Sequence, residues 1–303
     1  MVRALPLRNG MAVVLAAIFL LSTPMVSHSS TTISLFPNRP HQGDAVVVVV
    51  KGTSMGTPLR LMAIFTGSSE KKRVITLSPA GPKRATILGV PLDATGLVLR
   101  VKKPAGTQLA GVRVSLLARH VPISRLRLAR RFLRPPKELQ KRIARQRKML
   151  RAILSRRSPY WLPRGLPVMP LSRYRETTPF GAKRVINGVK VSPHSGVDLA
   201  APKGTPVRAP FSGRVVFAGR LYYTGNTVLL DHGRGFFTLY AHLSSFGVRV
   251  GELAGKGRVL GRVGSTGRVT GPHLHWGAYV CGVKVDPLSL FSIPSSLWAM
   301  MAR

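Results

Sequence analysis

Two histidines separated by one leucine, His273 and His275, stand in the segment VTGPHLHWGAYV. Side chains alternate faces along a β-strand, so residues two apart point to the same side. A strand here would place both imidazoles on one face and direct Leu274 and Trp276 into the core. A helix explains the pair less well, because residues i and i+2 do not face each other on a helix. Taken alone, the pair is equally compatible with two surface histidines on an edge strand.

Three further side chains that could bind a metal ion or transfer a proton lie upstream of this pair. The segment SPHSGVDLAAP carries His194 and Asp198, which share a face if the segment is extended, and TLYAHLSS carries His242 at the expected end of a strand. A catalytic zinc site needs about three protein ligands and an open position for water. It also gains from nearby groups that move protons or stabilise an oxyanion. Each motif is weak alone, but together with the histidine pair they indicate a hydrolytic zinc site.

The three motifs also resemble a known family of enzymes. The segments HSGVDLAAPKGTPVRAPFSGRVVFAG, YAHLS and GRVTGPHLHWG are similar to those of the lysostaphin-type (LytM-type) zinc endopeptidases, which cut peptidoglycan peptides. The resemblance covers roughly residues 175–290, and the three motifs together are highly specific. The whole mature chain also resembles bacterial members that carry an N-terminal Ig-like β domain. A groove-lined antiparallel β fold is therefore implied for the C-terminal part.

The resemblance assigns roles to five side chains. It implies one zinc ion per chain on His194, Asp198 and His275, and catalytic roles for His242 and His273. Some relatives have lost these residues and serve as activators of other wall enzymes. All five positions are intact here, which favours an active metalloendopeptidase that hydrolyses peptide crosslinks of peptidoglycan with metal-activated water.

One position departs from the pattern of some Gram-positive relatives. Those relatives carry a tyrosine shortly before the first zinc histidine, which assists the transition state, whereas this chain has RVINGVKVSP there. Tyr222, Tyr223 or another group substitutes for it, or the histidines suffice. The sequence leaves these alternatives open.

Two other reactive residues are predicted to be structural. His232 lies in VLLDHGRGFFTLYAH, a strand–turn–strand pattern with residues 231–233 at the turn. Cys281 is the single cysteine, so no intrachain disulfide is possible. It lies in the alternating stretch AYVCGVKV, which is typical of a small core residue.

The charge balance points to an anionic partner. The chain has 47 Lys and Arg against 9 Asp and Glu, a formal net charge of +38. Such a chain is attracted to nucleic acid, anionic lipid or a charged cell wall. We expect the anionic cell envelope and peptidoglycan peptides as partners and no nucleic acid, because the aromatic and basic platforms of single-strand binders are not evident. The sequence does not predict an oligomeric state.

The N-terminus has the three-part layout of a secretory signal peptide. Arg3 and Arg8 precede an apolar run over residues 11–21, and small and polar residues follow it. The run is short for a membrane span, although an uncleaved anchor is an alternative. No other stretch is long and apolar enough to cross a bilayer. We therefore predict an exported protein of the periplasm or cell envelope, without a transmembrane span after cleavage.

Composition divides the chain into five segments of a mainly β protein. Short β-rich runs separated by turn signals form the first folded part, and a second Gly-rich set of short strands forms the other. The predicted segments are a signal peptide at 1–29, an Ig-like β-sandwich at 30–120, a basic helical and Pro-rich linker at 121–164, an antiparallel zinc endopeptidase domain at 165–290 and a C-terminal tail at 291–303.

The linker is dense in arginine and lysine and predicts a helix after Pro135 and Pro136. Four apolar residues fall on one face of this helix, namely Leu139, Ile143, Leu150 and Leu154. The opposite face is cationic. Such a helix either binds a membrane or the wall, or connects two domains with its charged face in solvent. The connecting helix is the favoured interpretation.

Two alternatives to an active hydrolase remain at this stage. The segment TPVRAPFSGRVVFAG resembles half of the motif of biotinyl or lipoyl carrier domains, but no lysine in their characteristic hairpin setting is found. The second alternative is a noncatalytic or autoinhibited envelope protein that binds the cell wall and regulates other wall hydrolases. The sequence does not exclude that the N-terminal domain or the basic helix covers the site.

Overall fold

A computed structural model describes part of the chain. The described residues are 30–53, 56, 58–77, 83–190 and 193–302. The predicted signal peptide at 1–29 lies outside them. Within these ranges, no helix has the length and apolar character needed to cross a membrane.

The N-terminal part is a sandwich of two antiparallel sheets. Its strands are β1 (Thr32–Phe36), β2 (Ala45–Lys51), β3 (Leu59–Thr66), β4 (Lys72–Leu77), β5 (Lys83–Gly89), β6 (Gly96–Lys102) and β7 (Gln108–Ser115). One sheet has the order β1-β2-β5 and the other β4-β3-β6-β7. Alternating apolar side chains of both sheets, such as those of LRLMAIFT in β3, fill the core between them.

Strand β2 is buried along nearly its whole length because it faces two cores. Val46 and Val48 point into the sandwich core. Val47 and Val49 point the other way, into a cluster that contains Trp298 from the end of the chain. A strand covered on both faces needs a continuous apolar run rather than an alternating one, and AVVVVVK supplies it.

The linker forms a strand and a helix that both pack on the C-terminal part. They are β8 (Ile123–Leu126) and α1 (Lys137–Leu154), with a 3-10 turn at Arg130–Phe132 between them. The helix begins after Pro136, where the sequence predicts it. Ile153 packs against Leu229 and Phe237 of the large sheet, and Ile143 is also buried. The apolar face is therefore used inside the protein, which agrees with a connecting helix whose cationic face meets solvent.

The C-terminal part is built on a ten-stranded sheet. Its region contains β9 (Arg175–Thr178), β10 (Lys183–Ile186), β11 (Val189–Lys190), β12 (Val197–Ala200), β13 (Pro206–Arg208), β14 (Gly213–Leu221), β15 (Gly225–Gly233), β16 (Phe236–Phe246), β17 (Leu253–Ala254), β18 (Val259–Val263), β19 (His273–Val280) and β20 (Val283–Val285). The order β17-β14-β15-β16-β19-β12-β9 is antiparallel throughout. A separate small sheet pairs β10 with β11 and, in parallel, with β8 of the linker. The predicted mainly β fold class is confirmed.

The segment predicted as a C-terminal tail is folded in the structure. A 3-10 segment at Pro287–Ser292 leads into helix α2 (Ser295–Met301). The Trp298 ring is fully buried and stacks on Trp161 at a centroid distance of 6.0 Å. The end of the chain is thus part of the core between the sandwich and the large sheet.

One turn lies further along the chain than predicted, and a second turn interrupts a stretch that the sequence pattern does not divide. Residues 231–233 belong to β15, and the reversal falls at Arg234 and Gly235, which both have positive φ. The stretch AYVCGVKV is not one strand, because Cys281 and Gly282 form the turn between β19 and β20. The Cys281 side chain is nevertheless buried in the core, as expected.

Arg119 ties the sandwich to the C-terminal part through two buried carboxylates. Its guanidinium donates to Asp44 and, at 2.8 Å, to Asp286. Removal of one partner from such a buried cluster leaves uncompensated charge. We expect Arg119→Ala to lower the free energy of unfolding by about 3–5 kcal/mol in urea denaturation. The matched control is Arg113→Ala, which removes an exposed arginine. Equal small losses of unfolding free energy in both variants would contradict a stabilising role for the Arg119 ion pairs.

Candidate functional site

The histidine pair lies at the start of β19, with both rings on one face of the strand. Leu274 and Trp276 point to the opposite face and are fully buried. His275 stands opposite Asp198 of the neighbouring strand β12. The strand prediction for HLH therefore holds, and the same strand pair brings a carboxylate to one of the two histidines.

Three donor atoms converge at this point of the sheet. The Asp198 Oδ1 atom lies 2.9 Å from His194 Nε2 and 2.8 Å from His275 Nδ1, and the two ring nitrogens are 2.9 Å apart. All three side chains are buried. Two imidazoles and one carboxylate form a donor set that Zn²⁺ accepts, and they leave the metal a net positive charge. The residues present therefore fit a metal ion.

His194 reaches this cluster from a loop rather than from a strand. Strand β12 begins only at Val197, so the shared-face argument for an extended segment does not apply to His194. Gly196 lies between the two ligand candidates and packs directly on the backbone of Trp276. The loop therefore approaches β19 closely and brings His194 alongside His275.

A backbone carbonyl fixes the tautomer of His194. Its Nδ1 lies 2.9 Å from the Pro179 carbonyl oxygen, which can only accept a hydrogen bond. Nδ1 therefore carries a hydrogen, and Nε2 is the ring nitrogen that faces Asp198 and His275. Histidines that bind metals are commonly oriented in this way by a partner on their other nitrogen.

His242 and His273 lie beside the cluster, and each is also oriented by a hydrogen bond from Nδ1 to a backbone carbonyl. His242 Nδ1 donates to the Thr266 carbonyl at 2.7 Å, and His273 Nδ1 donates to the Gly271 carbonyl at 2.9 Å. Their rings are 4.8 Å apart. Both Nε2 atoms are thus left as proton acceptors, and His273 Nε2 lies 3.8 Å from Asp198 Oδ1.

Burial keeps His242 neutral. Its pKa is held well below its usual value by burial, and the neighbouring His273 and His275 lower it further. The backbone of His242 is also strained, with φ +64°. Strained backbone at a non-glycine residue persists where the surrounding structure determines it, often at functional sites.

The carboxylate of Asp198 is ionised and oriented on both oxygens. Burial alone would raise its pKa, but the adjacent His194 and His275 rings outweigh burial and hold the pKa well below its usual range. The second oxygen, Oδ2, accepts a hydrogen bond from Arg184 Nη2 at 2.6 Å. The ion pair with Arg184 leaves Oδ1 for the cluster.

Three of these side chains line a cavity of about 360 Å³. It is lined by Asp198, His242 and His273, by linker residues, and by three arginines, Arg175, Arg184 and Arg268. A larger cavity of about 880 Å³ lies near Phe246 and Arg258. No histidine lines that larger cavity, so the smaller one carries the chemistry.

Arg184 is a site residue that the sequence did not single out. It belongs to RVINGVKVSP, the segment in which some relatives carry a tyrosine. Tyr222 does not take that place, because its hydroxyl donates to the Arg131 carbonyl, and neither Tyr222 nor Tyr223 lines the cavity. Among 47 basic residues, only the position of Arg184 in this segment signalled its role.

His232 lies outside the cluster and is buried. Its ring is held between the Ser212 carbonyl at 2.8 Å and the Thr238 hydroxyl at 2.7 Å. Burial lowers the pKa of His232 to about 4, so the ring is neutral. These contacts agree with the structural role expected from the sequence.

Gly196 offers a test of how tightly the loop must approach β19. A Cβ atom there would lie 2.2 Å from the Trp276 carbonyl oxygen, so Gly196→Ala must displace the backbone between His194 and Asp198. We expect a loss of about 1–3 kcal/mol in unfolding free energy. We also expect the hydrolytic activity that the motifs predict to fall on the order of 10²-fold in kcat/KM.

The control for this substitution is Gly255→Ala. A Cβ atom at Gly255 meets nothing within 4 Å, so this variant should match the wild type in both measurements. Wild-type activity in Gly196→Ala would show that the close approach of the loop is not needed for the site.

The comparisons with known proteins define the family. Residues 192–287 match peptidase family M23. A crystal structure of a putative peptidase M23 from Pseudomonas aeruginosa is similar over 84% of this chain and 96% of that chain, with 31% identity and a TM-score of 0.61. The chain therefore belongs to peptidase family M23, and the family resemblance predicted from the motifs is confirmed.

Two curated relatives share the region that bears the site. The DD-carboxypeptidase/endopeptidase Mpg of Neisseria meningitidis serogroup B is 45% identical over 128 residues, which are 42% of this chain and 29% of that protein. The peptidoglycan DD-endopeptidase ShyA of Vibrio cholerae serotype O1 is 41% identical over 118 residues, or 39% of this chain and 27% of that protein. The similarity thus spans less than a third of either relative.

Proposed function

We propose that the protein is a zinc-dependent endopeptidase that hydrolyses peptide crosslinks of bacterial peptidoglycan. The observation that carries this proposal is the convergence of two histidines and one carboxylate beside two further histidines whose free nitrogens face the same cavity. The metal ligands would be His194, Asp198 and His275, and the catalytic residues His242 and His273.

Zinc, when bound, would polarise the scissile carbonyl and lower the pKa of a water molecule. His273 Nε2 would accept a proton from the attacking water, because its Nδ1 is already committed to Gly271. His242 Nε2 would take up a proton from His273 or from the water and pass it to the leaving amine as the C–N bond breaks. Arg184 would keep the Asp198 carboxylate fixed throughout.

The names of the two curated relatives support a DD peptide bond as the target. One is described as a DD-carboxypeptidase/endopeptidase and the other as a peptidoglycan DD-endopeptidase. The chain would therefore cut the bond between a D-alanyl carbonyl and the amine of the neighbouring stem peptide, rather than a glycine bridge. Such crosslinks lie outside the cytoplasm, which fits the predicted export signal at residues 1–29.

We place the protein in the periplasm or cell envelope, with the segment boundaries predicted from the sequence. The exposed face of α1 carries lysines and arginines and only one acid, Glu138. This face would attract the protein to the anionic envelope, an interaction that salt screens within about 8 Å at physiological ionic strength.

One observation favours the alternative of a covered site. Ser124, Leu126 and Leu128 of the linker form one wall of the cavity, so the segment before α1 limits the approach of a large substrate. The His273 side chain nevertheless remains 15% exposed. A noncatalytic regulator would hold metal without turnover, and an autoinhibited enzyme would cut small peptides but not intact sacculi.

Chelation tests the proposal. The purified protein is treated with a chelator, dialysed, and assayed on sacculi and on soluble crosslinked muropeptides before and after addition of zinc. We expect about one zinc per chain, loss of cleavage on chelation and recovery with zinc. Full cleavage by metal-free protein would overturn the proposal, and zinc binding without cleavage of either substrate would favour the noncatalytic alternative.

A further inference from the structure

Arg268 lines the active-site cavity but has no part in the mechanism above. It lies in the loop GRVTG immediately before β19, in the same cavity wall as His242 and His273. Its guanidinium stacks on the ring of Tyr223, with 4.8 Å from the guanidinium carbon to the ring centroid. The side chain is partly buried by this contact.

No acidic group in the described part of the chain is paired with Arg268. Among the residues that the structure describes, no carboxylate lies within ion-pair distance of Arg268, and its guanidinium makes no hydrogen bond to the protein. Asp198, the acid that lines the cavity, is already paired with Arg184. A partly buried arginine without an anion is unfavourable unless a ligand supplies one.

The surroundings of Arg268 also disfavour an additional positive charge. Burial lowers the pKa of Arg268, and the neighbouring cations Arg184 and Arg147 lower it further. Arg184 also lines the cavity, and Arg147 lies over the same Tyr223 ring as Arg268, so the potential around Arg268 is positive. An anionic group that enters the cavity would relieve this repulsion.

The stacked geometry suits a planar anion. An aromatic ring against one face of a guanidinium orients it and leaves the N–H groups at its edge free. Those edge donors match the two oxygens of a carboxylate, which arginine binds in a bidentate fashion. Arg175 also lines the cavity but is exposed, so it is less constrained than Arg268.

We propose that Arg268, held by Tyr223, binds a free carboxylate of the substrate next to the bond that is cut. The preferred substrates would then be peptides in which the residue that supplies the leaving amine carries an unmodified carboxylate. Amidation of that carboxylate would make a crosslink a poor substrate. This inference rests on the proposed endopeptidase function.

Two synthetic peptides test the inference. They differ only in a carboxylate or a carboxamide on the residue that supplies the leaving amine, and the zinc-loaded full protein is assayed on both. A charge-assisted pair of this kind corresponds to about a 10- to 100-fold preference for the carboxylate peptide in kcat/KM. Arg268→Gln should lower kcat/KM on the carboxylate peptide by that same factor. Its kcat/KM on the carboxamide peptide should change less than about threefold.

Three controls separate this role from a structural one. Arg249→Gln removes the same charge from an exposed arginine outside the site cavity and should leave the preference intact. Tyr223→Leu should weaken the preference in part, because the guanidinium loses its support. Zinc content and thermal unfolding of all variants should equal those of the wild type.

The outcomes are distinguishable. If the wild type cuts both peptides equally, or if Arg268→Gln slows both by the same factor, the carboxylate role is wrong while the endopeptidase function stands. If the zinc-loaded wild type cuts neither peptide and releases no products from sacculi, the proposed function itself is wrong.

Discussion

Alanine at His194, Asp198 or His275 is expected to remove the bound metal and the activity together. These three side chains supply the donor atoms that lie 2.8–2.9 Å apart in pairs. Removal of a residue that hydrogen-bonds to a metal ligand already lowers metal affinity about 10- to 100-fold. Removal of a ligand itself should therefore lower metal affinity by at least about 10²-fold. Metal analysis and muropeptide digestion of each variant, dialysed against trace zinc, measure both effects.

The control for these variants is His41→Ala, which removes a half-exposed histidine of the sandwich. It should keep about one zinc per chain and wild-type turnover. A ligand variant that retains stoichiometric zinc under the same dialysis would show that the metal is held elsewhere.

Alanine at His242 or His273 is expected to separate metal binding from turnover. Both rings donate through Nδ1 to a backbone carbonyl and direct Nε2 to the cavity, without lying in the cluster of three donors. General acid–base groups contribute about 10²–10⁴-fold in rate. Each variant should therefore keep near-stoichiometric zinc and lose about that factor in kcat on crosslinked muropeptides.

The order of roles within HLH is the sharpest part of this prediction. His275 Nδ1 is 2.8 Å from Asp198 Oδ1, whereas His273 Nε2 is 3.8 Å away, which favours His275 as the ligand. Zinc content of the two single variants decides the matter. A metal-free His273→Ala together with a metal-loaded His275→Ala would reverse the two roles.

Local patterns in the sequence were enough to predict the strand and the candidate residues. The alternation in HLHW places the two histidines on one face and buries Leu274 and Trp276, because strand side chains alternate regardless of the partner strand. The motif residues then meet because β12 pairs with β19 in the register that sets Asp198 against His275. That register is a property of the whole sheet and is not visible in either motif.

Features that depend on distant contacts were not predictable from local patterns. The linker strand β8 pairs in parallel with β10, about 60 residues later in the chain, so no hairpin signal marks it. Residues 291–303 look like a short tail, yet Trp298 is buried in the core between the sandwich and the large sheet. Arg184 and Arg268 are two of 47 basic residues, and their contacts with Asp198 and Tyr223 identify them as site residues.

The most direct measurement is mass spectrometry of a purified crosslinked muropeptide dimer digested by the zinc-loaded protein in ¹⁸O-labelled water. Hydrolysis of the DD crosslink predicts two monomers whose combined mass exceeds that of the dimer by one water, with a single ¹⁸O in the new D-alanyl carboxylate. Chelated protein should leave the dimer intact. An intact dimer with zinc-loaded protein, or products cut in the glycan chain rather than in the peptide, would contradict the account.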